Sequence, residues 1–174
     1  YYYYGVEHLI INLIPYIQKG VENNEKIYLS MEKDLYMQIV KHLSMLNIDT
    51  HFIDFYSVKD LILTNNRKGL AGLQEKVEML VSEVQKSGYT GVRFIGQPSY
   101  AVQETPEREF LQWEENLTQA LLDTQCSLLC IYDMEDLLND QTFINDKMVV
   151  KSYLTHSHKL YQFEMIDCLR MSLN

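Results

Sequence analysis

At 174 residues, 47% of them hydrophobic, with seven glycines and three prolines, the chain has the size of one ordinary globular domain with a substantial core, and two domains would be cramped. Its 24 acidic against 15 basic side chains leave a formal charge of -9, a mean field that repels phosphate backbones and anionic headgroups and argues against direct nucleic-acid binding. No run approaches the roughly 20 apolar residues of a membrane helix, no secretory leader pattern is present, and Cys126, Cys130 and Cys168 have no zinc-type spacing, so a reducing, cytoplasmic setting is expected.

Taken in order, Tyr1 to Tyr4 read as a strand, Gly5 as a turn, and Leu9, Ile10, Leu13, Ile14, Ile17 and Val21 as the stripe of a helix that Pro15 should kink near Ile11. The chain opens on strand residues without an initiator Met, so a module of a longer regulatory protein is expected. Lys26 to Ser30 is a short buried strand, Leu35, Ile39, Leu43 and Leu46 mark a second helix, and Thr50 to Phe55 a third strand. A polar loop around Asn65 to Lys68 precedes the cleanest helical period, Leu70 to Val84, stopped by Gly88. Val92 to Ile95 is a fourth strand, and Thr105-Pro106 supplies an N-cap and first-turn proline for a helix over about 106 to 122. Ser127 to Tyr132 is a strand buried on both faces, ending at Asp133. A helix over about 142 to 154 and a final strand with Tyr161, Phe163 and Met165 on one face complete the chain. Such alternation requires crossover connections, hence a three-layer α/β domain over 1–174 with a mostly parallel central sheet and helices on both faces. Ligands of such sheets bind outside the carboxyl ends of the strands.

The first strand, turn and helix stand where a phosphate loop would sit, but Gly5-Val6-Glu7-His8 has neither a second glycine nor Gly-Lys-Ser/Thr. Leu128 to Asp133 has the form of a Walker B strand, a form that any buried parallel strand can take. No nucleophile elbow, His-Glu-x-x-His or dinucleotide fingerprint occurs, so no enzyme activity and no cofactor are expected. His156 and His158 alternate, but with no acidic or thiolate ligand near them in sequence they read as loop histidines, and no metal site is expected. Cys126 and Cys130 share one strand face and read as core thiols, with a redox pair as the alternative.

One residue breaks its pattern. Phe110, Trp113, Leu117, Ala120 and Leu121 form the buried stripe of their helix, and Glu114 falls inside it. A carboxylate there needs a partner, a hydrogen bond or a proton, and Arg93 on the preceding strand is the nearest candidate. Two readings stand side by side: a structural Arg93–Glu114 pair, or the same pair lining a ligand pocket beside Tyr100 and Trp113.

These residues assemble into a resemblance. Glu7-His8-Leu9 with Leu13 to Glu25, the pattern Gly88-x-x-Gly91-x-Arg93-x-x-Gly96, Trp113-Glu114-Glu115-Asn116-Leu117, and Leu128-Leu129-Cys130-Ile131-Tyr132 resemble, in order, the motifs of the MEDS family, the methanogen, methylotroph and dichloromethane-regulator sensory domain. The chain departs from the family pattern at Gln97 and Tyr100, where Glu or Asn and Trp are usual, and at Thr155-His156-Ser157-His158, a loose echo of the C-terminal motif. The resemblance implies a RecA/KaiC-like fold without a working phosphate loop. It also implies a sensory input domain recognising small organic molecules and coupled to helix-turn-helix, kinase or anti-sigma partners.

On this basis the expected ligand contacts are Arg93 and Glu114 as a polar pair, Tyr100, Trp113 and Tyr132 as aromatic walls, Gln97 as a hydrogen-bonding side chain, and Tyr4 and Asp133 at the mouth. The expected partners are a small molecule and a signalling protein, with a second copy of the chain as a further candidate. The alternative is a ligand-free protein-interaction module on a degenerate ATPase fold.

Overall fold

A computed structural model describes residues 1–103, 105–140, 142–161 and 164–167. The elements are β1 (Tyr2–Tyr3), α1 (Val6–Glu22), β2 (Glu25–Ser30), α2 (Lys33–Met45), β3 (Ile53–Phe55), α3 (Lys59–Lys86), β4 (Gly91–Gly96), α4 (Pro98–Gln103) and α5 (Glu107–Ala120). They continue with β5 (Cys126–Cys130), β6 (Tyr132–Asp133), α6 (Asp146–Thr155), β7 (His158–Tyr161) and β8 (Glu164–Asp167).

The central sheet is parallel, in the order β3-β2-β4-β5, with Ile27 opposite both Ile53 and Arg93, and Phe94 opposite Leu128. At its far side β5 passes through Ile131 into β6. Ile131 N–H donates to the Gly96 carbonyl on β4, while Tyr132 N–H donates to the Tyr1 carbonyl. The same stretch of chain therefore bonds β4 along one edge and β1 along the other, and β1 extends the sheet.

Strand alternation sorts the core into two layers. Val92, Phe94, Cys130 and Tyr132 face α3, α5 and α6, where Leu73, Val77, Phe110, Trp113 and Met148 are buried. Ile27, Leu29, Ile95, Leu129 and Ile131 face α1 and α2, whose Leu9, Leu13, Ile17, Ile39 and Leu43 close the second layer. The expected three-layer α/β arrangement is what forms, because the inner strands β4 and β5 bury apolar side chains on both faces, Val92, Phe94 and Cys130 on one and Ile95 and Leu129 on the other.

Several boundaries differ from the sequence reading. Residues 65–68 are not a loop: α3 is helical from Lys59 and breaks only at Gly69, whose φ of 63° and ψ of -156° lie in a region that is essentially glycine's alone. The first half was hidden because its inward face includes a polar residue, Asn65, which is buried and accepts a hydrogen bond from Asn116 Nδ2 on α5. The third strand is shorter than expected, since Thr50–Phe52 form a 3-10 turn. Pro106, not Thr105, is the residue capping α5, and the Thr105 hydroxyl instead donates to Glu109. The single final strand is an antiparallel hairpin, β7 with β8. Gln162-Phe163 between them carries no turn signal that would announce it, and Phe163, like Cys168, lies outside the described residues.

Candidate functional site

The carboxyl ends of β2, β4 and β5 meet the flank of α5 around a cavity of about 50 Å³. Its walls are apolar side chains from α3, α4 and α5, among them Leu61, Val77, Ala101, Phe110 and Leu117. Polar groups enter from Ser30, Gln97, Trp113, Glu114, Cys130 and His156. Among the described residues, the buried side-chain atoms without a hydrogen-bond partner are Ser30 Oγ, Trp113 Nε1 and Glu114 Oε2, and all three residues line this one cavity. An orphaned buried polar group costs roughly 1–3 kcal/mol, so their convergence makes this cavity the candidate site.

Glu114 lies on α5 at 5% exposure. Its Oε1 accepts a hydrogen bond of 2.8 Å from the Tyr132 hydroxyl. Burial pushes its carboxyl up to about 7, against the opposing pull of the Tyr132 hydrogen bond and the charge of Lys151. The Cys130 thiol, buried and near that carboxyl, is pushed up to about 12. His156 follows α6, and its Nδ1 is 2.8 Å from the Ser152 carbonyl. A carbonyl can only accept, so Nδ1 carries the proton and Nε2 keeps its lone pair. Burial lowers this imidazole's pKa, and with its ring 4.0 Å from Glu114 it stands beside the carboxyl as a neutral group.

The structure separates the residues that the sequence grouped. Arg93 and Glu114 do not pair. On β4 they are divided by parity: Arg93 shares its face with Ile95, toward α1, whereas Glu114 lies beyond the opposite face. Arg93 Nε instead meets Glu25 at 2.5 Å, its Nη1 donates to the Tyr16 carbonyl, and its guanidinium lies 4.3 Å from the centre of the Tyr16 ring. Gly20 makes room for it, since a Cβ there would stand 3.0 Å from Arg93 Nε.

Gln97, Trp113 and Glu114 are brought together at the cavity, and Tyr132 joins them through its hydroxyl. The Gln97 Oε1 also accepts from Glu32 N–H, tying the loop after β2 to the end of β4. Tyr100 packs against Phe55 at the edge of the layer, with ring centroids 6.3 Å apart, and is not among the cavity residues. Tyr4 is 57% exposed, and Asp133 lies outside the cavity as well, next to the buried Tyr3, whose hydroxyl is pushed up in pKa by burial first and by the Asp133 charge after it. The turn from β1 to α1 is only Tyr4 and Gly5, too short for the eight-residue phosphate loop of an NTPase.

Sequence reasoning missed Ser30, Cys130 and His156 as members of the site. Only the fold brings a strand end, a second strand and the end of α6 to one wall. The available signal was that Cys130 shares a strand face with Tyr132, two residues on.

Residues 1–146 match the sequence profile described as "MEDS: MEthanogen/methylotroph, DcmR Sensory domain". The chain belongs to the MEDS family. Comparison with curated proteins returns no match. The MEDS match covers β1 through β6 and so includes the sheet, α5 and most of the cavity. His156, α6 after its first residue Asp146, and the hairpin lie beyond it. As a MEDS domain the chain has a sensory role, and among the described residues no helix is long and apolar enough to cross a membrane.

Proposed function

We propose that this MEDS domain is a cytoplasmic, non-catalytic input module that binds a small organic molecule in the cavity between the sheet and α5, and passes its occupancy to a transcriptional or kinase partner. The observation that carries this reading is the convergence of three unsatisfied buried polar atoms on one apolar-walled cavity.

Size and polarity narrow the ligand class. A single water needs roughly 10–15 Å³ on this measure, and a cavity of roughly 150 Å³ holds benzene. At about 50 Å³ the cavity suits a molecule of a few heavy atoms, with an apolar body and one polar end. Trp113 Nε1 offers a donor, Ser30 Oγ either role, and Glu114 Oε2 a donor or acceptor according to its proton. Short halogenated or methylated carbon compounds fit this description. Binding would change the output by favouring one packing of α3 and α5 over another, with the Gly69 break in α3 as the place where such a repacking would divide the helix. The two-residue turn after β1 supports a reading without nucleotide hydrolysis.

Thermal melting of the purified protein against one- to three-carbon halogenated and methylated compounds tests this, alongside native mass spectrometry for a co-purified molecule. A ligand held at 100 times its Kd adds about 2.7 kcal/mol of stability. The shift is expected in the wild type and absent in Ala101→Leu, which fills the cavity. If no compound shifts the wild type and none co-purifies, the ligand reading fails and a ligand-free interaction module takes its place.

A further inference from the structure

We propose that Glu114, Cys130 and His156 form a binding site for a divalent transition-metal ion of the zinc class, set in the wall of the cavity. One donor atom from each lies within 4.8 Å of the other two. Tetrahedral ligands at about 2.0–2.3 Å from an ion stand roughly 3.3–3.8 Å apart, so side-chain adjustment of about an ångström closes the set.

The donor chemistry is selective. Thiolate and imidazole favour zinc and its neighbours over magnesium or calcium, which take oxygen ligands. Charge balance favours the same occupant: a thiolate, a carboxylate and a neutral imidazole around a dication sum to zero, the condition under which ions tolerate a low-dielectric interior. Glu114 Oε2 is a ligand atom already desolvated and without a partner.

The surrounding hydrogen bonds are those that orient metal ligands. Tyr132 holds Glu114 by Oε1, leaving Oε2 available. Ser152 accepts the His156 Nδ1 proton, and that same nitrogen stands 4.0 Å from Glu114 Oε1, so the imidazole takes an ion either through Nε2 by a turn of the ring or through Nδ1 by giving up the Ser152 bond. Three protein ligands leave a fourth position for a small molecule or water, as open zinc sites do. His156 lies beyond residues 1–146, so the family match assigns it nothing. The site stands independently of whether an organic molecule also enters the cavity.

Chelator-treated protein, with no organic compound added, is titrated with Zn²⁺ under native mass spectrometry and with Co²⁺ under absorption spectroscopy. One retained equivalent is expected, with a thiolate-to-cobalt charge-transfer band in the near ultraviolet and intense visible bands of tetrahedral cobalt. Cys130→Ser should abolish the charge-transfer band, while Cys126→Ser and Cys168→Ser keep it. His156→Ala should weaken Zn²⁺ binding at least a hundredfold, and Tyr132→Phe, which removes only an orienting bond, by about 10- to 100-fold. Wild-type protein that retains no Zn²⁺ and shows no cobalt–thiolate band overturns the proposal without reference to any variant's folding. A band that survives in folded Cys130→Ser overturns it as well. Neither result bears on the melting shifts with organic compounds, so the two readings fail separately.

Discussion

Glu114 holds its two carboxyl oxygens in unlike surroundings, one bonded to Tyr132 and one without a partner, and stability should register this through pH. With its pKa near 7 in the folded state against 4.5 as the ordinary value, the native protein keeps a proton that the unfolded chain has already lost. Glu114's contribution is therefore complete below about pH 4.5 and declines as pH rises through 7. At about 1.4 kcal/mol for each pH unit between the two values, the loss is on the order of 3 kcal/mol. Urea denaturation at pH 5 and pH 8 should show this decline in the wild type. Glu114→Gln, which keeps the Tyr132 hydrogen bond and cannot ionise, should flatten it and be the more stable of the two at pH 8. The sequence made this carboxyl legible as an anomaly, because a charge inside an apolar stripe violates a local rule. It did not make the partner legible. Arg93 and Tyr132 are both within about twenty residues of Glu114, and only the side of the sheet that each faces decides between them.

Among elements, the strands and long helices were readable wherever the inward face was purely apolar, as along α1, α2 and the second half of α3. Reading failed where polar groups were satisfied by a distant element, as with Asn65 and Asn116. It failed too where two antiparallel strands, β7 and β8, are joined by a sequence without turn signals. The join between α1 and β4 is a case that no local pattern discloses: Gly20 admits the Arg93 guanidinium, which bonds Glu25 and the Tyr16 carbonyl beneath the Tyr16 ring. Arg93→Ala should cost about 3 kcal/mol, at the low end of what removing one partner of a buried pair costs, since Glu25 retains some contact with water. Equilibrium unfolding would measure this. Adding Glu25→Gln should recover part of the loss, and neither change should alter melting shifts caused by cavity compounds, because the pair belongs to the other layer.

Across the whole molecule, the division into two cores separates tasks. The layer under α1 and α2 holds the Arg93–Glu25 pair, with its polar groups bonded, whereas the layer under α3 and α5 contains the cavity and the buried polar atoms without a partner among the described residues. A sensor needs a part that can repack and a part that stays fixed, and the sheet between the layers provides that boundary. The class of fold was legible because crossover topology follows from alternation alone. The cavity was not, since it is composed of residues from Ser30 to His156, and no sequence interval contains it.

The docking of α6 has a practical consequence for anyone isolating this domain. Met148 is fully buried and the Ser152 hydroxyl lies 2.6 Å from that of Tyr2 on β1, so the helix that follows the family match seals the same layer that the match defines. A clone cut at residue 146 would strip the roof from Tyr132 and Phe110 and lay an oily surface open to solvent. Such a fragment should aggregate on expression or melt well below the 174-residue chain, and light scattering with calorimetry on the two preparations would show that the inherited boundary and the foldable one do not coincide.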